Sequence, residues 1–528
     1  MPDQLEDQLL VARRFKLPVG QNSNDVLSSL QPYEVGLLQN AIVTSRGKRS
    51  TRPGSTAIAD SLGAYTVDGL GKIYPVGGTK QLLKVVNGSI YKYTAGASNW
   101  TSIASGLTPA RTRFLVGNGY ALSLDGVNNA QSYDGTTVAD EGNLDASCPR
   151  GLFGIFHKNM FIVGGVTSAP SDFFLSTVGT KTFARSTRVH KVGNLDNGIM
   201  KAIVPMSLTD NHGFLVMKDD GIYFVDSSDT DYANWDIRLL TDAFGLAGYN
   251  CFAVVGNSGR GLGDVFFLSN DGARGNDNKF YIRSILKTIN DKIQGSGIIS
   301  SAIQPVLDDL NASQVDKCVA TYFDNKFFLA FPSGGSTYND SLVVLDLNTS
   351  SPDEGFWDWS VWTGVNVAWF ETFIESGVKR LYYAEASGTA RTYKFLTGTS
   401  DNGTAIAFAE EGRGEDFDVP EVDKIFQWVE TEFEATDDTE VTVKASVDSA
   451  GMTILGTVNV ESNAPTLPVN LPFNLASSGI VRKKFQLEDL GVGREIQIGV
   501  YHEDLDKAIT YLGYTLAAFP ENVEMGDD

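Results

Sequence analysis

The sequence has few of the residues that build disulfides, metal sites or nucleophilic centres. Its 528 residues include only three cysteines, Cys148, Cys251 and Cys318, and only four histidines. The cysteines lie far apart and form no CxxC pair, so neither a zinc knuckle nor a disulfide framework is predicted. We interpret them as lone buried thiols of a protein made in a reducing cytosol. The histidines are isolated from one another in the sequence and are interpreted as structural.

Long hydrophobic runs and nucleotide-binding motifs are also missing. No run approaches the ~18 apolar residues that a membrane span requires. The N-terminal MPDQLEDQLL has acidic residues where a secretory signal has positive charge, so the chain is expected to start out soluble in the cytosol. There is no P-loop, HExxH, GxSxG or Rossmann glycine pattern. We therefore expect no enzyme activity, no catalytic residues, no cofactor and no metal.

Positive charge is scarce. The chain has 42 Lys and Arg against 64 Asp and Glu, a formal charge of −22. Such a surface repels phosphates on average, which argues against a broad nucleic-acid-binding face. Residues 410–528 hold 25 acidic and 8 basic residues, a net charge of −17, which leaves −5 for the rest of the chain. This uneven distribution predicts a domain boundary near residue 409.

Glycine, in contrast, is abundant, with 54 residues and no collagen-like period. Many tight turns between short strands are therefore predicted. Between Thr79 and Phe395, units of about 40–50 residues recur, each a series of β-rich runs and polar turns. Asn87-Gly88 and Asn118-Gly119 are typical of type I′ hairpins, in which both central residues have positive φ.

Sheets of this size bury both faces only by stacking on one another. We therefore predict an all-β fold in which residues 36–408 form a β-propeller of six or seven blades. A pair of β-sandwiches is the alternative, because their strands have similar spacing. Residues 1–35 show no lasting periodicity and are predicted to form an N-terminal arm.

Residues 287–314 depart from the β-pattern. Ile299, Ile303, Val306 and Leu310 have the i, i+4, i+7, i+11 spacing of a helix, and Pro305 is compatible with a first helical turn. An inserted short helix is predicted here.

The acidic segment 409–528 returns to strands. In FQWVETEFEA, Val429, Thr431 and Phe433 alternate with glutamates. This alternation is typical of a half-buried antiparallel sheet, so we predict an acidic C-terminal β-sandwich.

Two clusters stand out as candidate contact sites. Arg46, Lys48, Arg49 and Arg52 form the only dense basic cluster. They are candidates for a loop that contacts phosphate or acidic groups of a neighbouring subunit, or for a solvated turn. Trp357 and Trp359 lie on one face of the predicted strand FWDWSVW. They are candidates for stacking on a sugar ring, although packing between blades is the favoured interpretation.

Several segments together resemble a known family. They are Arg52-Pro53-Gly54 after an early strand, AFGLAGYNCFAVVGNSGRGLGDVFFLSNDG, SAIQPVLDDL, CVATYFDNKFFLAFPSGG, DSLVVLDL and FWDWS. Their order is similar to that in the packaged-DNA stabilisation or tail-hub (nozzle) proteins of short-tailed bacteriophages. The resemblance spans roughly residues 36–520 and consists of strand and turn patterns. The acidic stretch 409–424 and the first 35 residues depart from it.

This resemblance implies a structural protein of the virion tail, assembled in the host cytoplasm. Such proteins form a homo-oligomeric ring, typically six-fold, below the portal and adaptor proteins. The ring would extend the DNA conduit, retain packaged DNA, let it pass without specific binding, and dock tail fibre or needle proteins.

An acidic wall would keep DNA from adhering to such a conduit. We therefore expect a channel-facing group of acids: Glu430, Glu432, Glu434, Asp416 and Asp418.

Two other functions stay open. One is a receptor-recognition propeller that binds or cleaves glycans through Trp357 and Trp359. The other is a hub or fibre-adaptor protein of a longer tail.

Overall fold

The computed structural model describes residues 11–15, 20–31, 34–45, 48–193, 198–208, 211–256, 263–271, 278–290, 297–435, 438–460 and 480–521. Strands dominate, and the two α-helices of these residues are short, α1 (Ile285–Asn290) and α2 (Gln304–Asp308). The chain forms two compact units. The propeller unit comprises Thr56–Val343 and Val365–Phe395, and the terminal unit comprises Met1–Ser55, Val344–Gly364 and Leu396–Asp528.

The strands are numbered in chain order. Those up to residue 57 are β1 (Val11–Phe15), β2 (Gly20–Gln21), β3 (Glu34–Val35), β4 (Leu37–Gln39), β5 (Ala41–Ser45), β6 (Lys48–Thr51) and β7 (Ser55–Ala57). Those between residues 67 and 331 are β8 (Val67–Ile73), β9 (Gln81–Val86), β10 (Ser89–Thr94), β11 (Thr101–Ala104), β12 (Arg113–Gly117), β13 (Tyr120–Leu124), β14 (Gln131–Tyr133), β15 (Val138–Asp140), β16 (Phe153–His157), β17 (Met160–Gly164), β18 (Asp172–Leu175), β19 (Val189–Lys191), β20 (Met200–Leu208), β21 (Asn211–Lys218), β22 (Ile222–Asp226), β23 (Asp236–Thr241), β24 (Phe252–Val255), β25 (Asp264–Asn270), β26 (Phe280–Ser284), β27 (Val319–Phe323) and β28 (Lys326–Phe331). The remaining strands are β29 (Ser341–Ser351), β30 (Phe356–Trp362), β31 (Val367–Glu375), β32 (Val378–Glu385), β33 (Thr392–Phe395), β34 (Phe408–Glu411), β35 (Lys424–Ala435), β36 (Thr439–Val447), β37 (Thr453–Val460), β38 (Val481–Gln486), β39 (Val492–Gly493), β40 (Ile496–His502) and β41 (Ile509–Pro520).

The propeller unit contains six sheets. Four of them are four-stranded meanders, β8–β11, β12–β15, β16–β19 and β20–β23, and β24–β26 form a three-stranded sheet. The last sheet is β31–β33, to which β7 is added as the fourth strand. The hairpin β27–β28 lies between the last two sheets along the chain. The first strands of the six sheets and of the hairpin lie side by side in a closed circle, with β31 next to β8. The predicted β-propeller is confirmed, with six sheets and the hairpin at a seventh position.

Small residues allow the first strands to approach closely. A Cβ at Gly71 of β8 would lie 2.4 Å from the ring of Phe114 on β12. A Cβ at Gly117 of β12 would lie 2.1 Å from the ring of Phe156 on β16. Real Cβ atoms do not pack at these distances, so glycine is required where neighbouring sheets meet near the axis.

The predicted tight turns are confirmed. Asn87 and Gly88 have φ values of 47° and 68°, and Asn118 and Gly119 have values of 47° and 79°. Both central residues of each turn therefore have the positive φ of a type I′ hairpin.

The predicted helical insertion is present but shorter than its periodicity suggested. A 3-10 turn, Ser301–Ile303, leads into α2, which has proline in its first turn. Leu307 is buried, whereas Val306 is only half-buried. Ile303, Leu307 and Leu310 are buried, which is still an i, i+4, i+7 spacing, so the only predicted core position that changes is Val306, whose place is taken by Leu307.

The terminal unit has two groups of strands around one core. The first is the sheet β38-β35-β41-β6-β5, with β1 also paired to β41 and β39 to β35. The second is the strand series β30-β4-β34-β40-β36-β37. Phe426 and Leu516 of the first group share a buried cluster with Phe408, Val443 and Val500 of the second. This shared core is what the predicted C-terminal sandwich requires.

The compact units do not follow the predicted boundaries at residues 36 and 409. Strand β6 pairs with β41, and β4 pairs with β34. Residues 36–55 therefore fold with the C-terminal strands, and the segment Val344–Gly364 does the same. The predicted arm also contributes β1, which pairs with β41 from Val11↔Ala518 to Phe15↔Tyr514. Pairing between strands some 500 residues apart is set by the tertiary fold and leaves no local signal in the sequence.

Candidate functional site

The basic cluster predicted near residue 50 is largely buried in the terminal unit. Arg52 has both terminal nitrogens on Asp401, at 3.1 and 2.5 Å. Its Nε donates to Asn40 Oδ1 at 2.9 Å, and Nη2 also donates to the carbonyl of Thr363 at 3.0 Å. Its guanidinium lies 5.4 Å from the ring centre of Trp362. A bidentate, fully enclosed arginine of this kind is a structural cross-link.

Arg49 is also enclosed, with 1% of its surface exposed. Its guanidinium lies 3.9 Å from a carboxylate oxygen of Asp358 and 3.9 Å from one of Glu410. Burial raises the pKa of Glu410 to about 7, although Arg49 opposes the shift. Lys48 is half-buried and pairs with Glu434 at 3.1 Å.

The prediction of an exposed basic contact loop is therefore wrong for Arg49 and Arg52. Both side chains point into the interior of the terminal unit, where they neutralise buried carboxylates. Arg46 lies outside the described residues.

Two of the three tryptophans of β30 are core residues. Trp359 and Trp362 are 0% exposed, and Trp357 is half-buried. A stacking platform for a sugar needs an open ring face, which Trp359 does not have. This placement agrees with the packing interpretation and contradicts the glycan-stacking one for Trp359.

Two of the three predicted acids of β35, Glu432 and Glu434, are ion-paired. Glu432 is 5% exposed and lies between Arg14, at 2.5 Å, and Arg482, at 2.9 Å. Glu430 is directly opposite Lys484 in the ladder with β38. With the Lys48–Glu434 pair, this face of the sheet carries charges of both signs, because β1, β6 and β38 bring cations to the central strand.

The two aspartates of the predicted acidic group lie in the loop before β35. Asp418 pairs with Arg13 of β1 at 2.5 Å. Asp416 accepts a hydrogen bond from the backbone N–H of Asp418 at 2.9 Å. The structure thus does not present the uniformly acidic face that the channel hypothesis assumed. The position of these acids relative to a channel stays a prediction.

A second group of residues, which combines charged, polar and aromatic side chains, lies in the propeller unit. It is formed where the first strands of the blades begin, and we call it the mouth cluster. Its members are Arg111, Arg113, Lys201, Tyr249, Asn250, Asp316, Lys317 and Trp369.

Lys201, at the start of β20, is fully paired. Its Nζ lies 3.3 Å from Asp219 and 3.2 Å from Asp316, and 4.4 Å from the ring centre of Tyr249. Burial disfavours its charged form, but the two carboxylates outweigh burial and raise the pKa of Lys201. This lysine therefore stays cationic and joins strand β20 to the segments beside it.

Arg113, the first residue of β12, links several blades. Its Nε donates to Asn250 Oδ1 at 2.6 Å, and its Nη1 donates to the carbonyl of Leu152 at 2.9 Å. Its guanidinium lies 5.4 Å from the ring centre of Tyr249 and 5.8 Å from that of Trp369. Burial, followed by the like charge of Arg111, lowers the pKa of Arg113 to about 9.

Arg111 lies two residues earlier, over the Trp369 ring at 4.6 Å. Its Nη1 is 3.5 Å from the carbonyl of Lys317. Burial lowers the pKa of Arg111 to about 10. Both arginines are thus cationic at neutral pH in an environment that disfavours charge, which is typical of functional sites and of structural ion networks alike.

The mouth cluster was missed at the level of sequence. Its residues come from the start of β12 and the segment before it, from the start of β20, from the segments before β24 and β27, and from β31, and no two of them form a motif. The only available signal is that a cation or an aromatic residue stands near the start of several first strands.

The cysteines agree with the prediction made for them. Cys148, Cys251 and Cys318 are buried free thiols. Burial raises the pKa of all three, that of Cys251 to about 12, so they are protonated at neutral pH and unsuited to nucleophilic chemistry.

Within the described residues, no group of three or more His, Cys, Asp and Glu side chains is arranged to hold a metal ion. The same part of the chain contains no helix of the length and apolarity that crossing a membrane demands.

No protein-family model and no curated protein matches the chain. Solved structures match it only loosely. A computationally designed protein, Ika8, is 11% identical, with a TM-score of 0.36 over 64% of this chain and 100% of its own. A mitotic checkpoint complex chain is 8% identical, with a TM-score of 0.36 over 65% of this chain and 93% of its own. An exo-β-1,3-galactanase from Phanerochaete chrysosporium is 11% identical, with a TM-score of 0.23 over 88% of this chain and 100% of its own. Similarity at this level assigns no activity.

Proposed function

We propose that this chain is a structural component of a bacteriophage tail, a homo-oligomeric hub or nozzle ring. In this role it extends the DNA conduit below the portal and adaptor, retains packaged DNA and docks other tail proteins. The proposal starts from the sequence resemblance described above, and one structural observation carries it further.

That observation is where two of the segments that carry the resemblance lie: their side chains pack against each other in the interior of the terminal unit. Arg52, of the early Arg-Pro-Gly segment, lies against Trp362, which follows the FWDWS segment more than 300 residues later. Arg49 and Asp358 belong to the same buried region. Segments this far apart in the sequence thus serve to hold one fold together. Their side chains are enclosed, as expected for a scaffold and not for residues that turn over a substrate.

The way the chain is tied together also suits a part that is assembled and then bears load. In the terminal unit, β1 from the N-terminal segment pairs antiparallel with β41 from the C-terminal segment. In the propeller unit, β7 completes a sheet whose other strands come from beyond residue 366. These additions cover the edges of β41 and β33 and tie distant segments into the sheets.

Multi-angle light scattering of the purified full chain tests the proposal. A ring of six copies of the 57.1 kDa chain has a mass of about 343 kDa, and negative-stain images should show a ring with a central opening. A trimer would favour a fibre or spike protein instead. A monomer at concentrations up to the millimolar range, or turnover of a polysaccharide, would contradict the proposal.

A further inference from the structure

We propose that copies of this chain dock on one another through the terminal unit, with Lys483 of one copy entering an acidic cavity on the next copy. This inference rests on the ring proposed above and names the two surfaces that join its neighbouring copies. We call the cavity the docking cavity. All of its lining residues belong to the terminal unit.

The docking cavity opens on the outer side of the second group of strands. Its volume is about 580 Å³, within the roughly 300–1,000 Å³ of ordinary ligand pockets. Gln39, Ala409, Tyr501 and Thr442 lie side by side in the register of β4, β34, β40 and β36. The residue before each of them belongs to the core cluster, so these four side chains face away from the core.

The floor of the cavity is apolar and held in place. Leu37, Ala409 and Tyr501 contribute to its lining. A Cβ at Gly499 would lie 3.0 Å from Cε2 of Tyr501, so glycine lets the ring lie close to the strand. The Tyr501 hydroxyl donates to Glu411, which fixes the far end of the ring. Such a floor suits the aliphatic stem of a lysine, whose charged head stays near polar groups.

The rim of the cavity is negatively charged. Glu440 and Glu503 are exposed and Asp504 is half-buried, so all three carboxylates are within reach of a ligand. No lysine or arginine of the described ranges lies within 4.0 Å of any of them. Hydrogen bonds from Thr439 Oγ1, at 2.6 Å, and from the backbone N–H of Glu440, at 3.1 Å, lower the pKa of Asp504 and keep it ionised. Three acids without a cation attract a cationic group.

His502 adds no positive charge to this rim. It is 4% exposed and lines the same cavity. Its Nε2 lies 2.8 Å from Thr439 Oγ1, and because that hydroxyl gives its proton to Asp504, Nε2 carries the ring proton. Nδ1 is then an acceptor, and it has no donor among the described residues. Burial lowers the pKa of His502, so the ring is neutral at pH 7. The carboxylates and the histidine around the cavity are therefore all acceptors, which fits an ammonium group as the occupant.

The complementary surface is β38, which stands at one end of its sheet. It presents three consecutive exposed cations, Arg482, Lys483 and Lys484. Arg482 is paired with Glu432, and Lys484 Nζ lies 3.9 Å from the ring centre of Trp428. Lys483 has neither an ion pair nor a ring contact in the part of the chain that the structure describes. It is thus the cation of this strand that is available to a second copy.

The two surfaces come from different strand groups, since the cavity belongs to the second group and β38 to the first. Within one copy, Lys483 forms no ion pair with the three carboxylates of the rim. A contact between two different surfaces of identical subunits is heterologous, and it closes into a ring when the rotation between neighbours allows it.

Light scattering of the full chain at a series of concentrations, in low salt, tests this contact by charge reversal. Glu440→Lys and Lys483→Glu each place like charges across the interface. Each should raise the concentration at which half of the chain is assembled by about tenfold or more. The two changes combined restore opposite charges and should recover most of this loss. Glu354→Lys, an exposed acid of the same unit outside both surfaces, is the matched control and should assemble as the parent does.

Each result decides the matter. Assembly of the parent, loss in each single variant and recovery in the combination support the contact. Unchanged assembly in the single variants, no recovery in the combination, or an equal loss in Glu354→Lys overturns the contact and leaves the proposed ring standing with another interface. A parent that stays monomeric up to the millimolar range overturns both. Glu503→Lys serves in place of Glu440→Lys if thermal unfolding shows that the latter does not fold.

Discussion

Lys84 offers a sharp test of how the propeller unit treats buried charge. It lies on β9, is 0% exposed, donates to the Ala390 carbonyl at 2.9 Å and lies 4.0 Å from the ring centre of Trp100. No carboxylate of the described residues pairs with it. Burial lowers the pKa of Lys84 from 10.5 to about 7.

The sign of the pH effect follows from proton counting. Between pH 7 and 10.5 the unfolded chain holds the lysine proton and the native chain does not, so the free energy of unfolding rises with pH. The slope is about 1.4 kcal/mol per pH unit, which gives about 5 kcal/mol over the whole window. This stability is present above pH 10.5 and is lost as the pH falls through 7.

Lys84→Met removes this titration. It also leaves the Ala390 carbonyl without its donor, at a cost of about 1–3 kcal/mol that does not vary with pH. The difference in unfolding free energy, variant minus parent, should therefore fall by about 2.5 kcal/mol between pH 7.5 and 9.5. For a unit of about 320 residues this corresponds to about 4 °C in the unfolding temperature.

Differential scanning calorimetry at several pH values measures this difference. Lys379→Met, an exposed lysine of β32 in the same unit, is the control and should give a difference that is flat with pH. A flat difference for Lys84→Met as well would refute the reasoning, because it would mean that Lys84 keeps an ordinary pKa in the native chain.

Three further predictions concern the terminal unit. Burial raises the pKa of Glu410 from 4.5 to about 7, so its contribution to stability is present below pH 4.5 and is lost as the pH rises through 7. Glu410→Gln should therefore gain about 3 kcal/mol relative to the parent across that window, and urea unfolding at pH 5 and pH 8 measures the gain. Arg52→Lys loses the bidentate contact with Asp401 and should cost about 2–4 kcal/mol of unfolding free energy, whereas a loss below about 0.5 kcal/mol would contradict the cross-link role. Trp359→Ala should cost about 3–5 kcal/mol in the same assay and leave any glycan affinity of the folded chain unchanged.

The sequence by itself determined the class of the fold. Gly-rich turns such as Asn87-Gly88 fix positive φ locally, and the recurrence of short β-runs requires stacked sheets, so the sequence predicted an all-β fold and favoured a propeller over a pair of β-sandwiches. The isolation of the cysteines likewise excluded a disulfide framework before their burial was seen. The helical insertion was located, but α2 is shorter than predicted and Leu307 takes the core position that was predicted for Val306.

Only the tertiary structure decided which charged side chains are buried and which are ion-paired. Arg49 and Arg52 were predicted to belong to an exposed basic loop. In the structure β6 pairs with β41, which places both side chains inside the terminal unit. Glu432 was predicted to be part of an acidic face. In the structure it forms ion pairs with Arg14 and Arg482, which lie on distant strands. The mouth cluster exists only because a closed circle of blades brings separate strand starts together. Local sequence sets strand and turn through short-range sterics, whereas the charge environment of a side chain depends on partners hundreds of residues away.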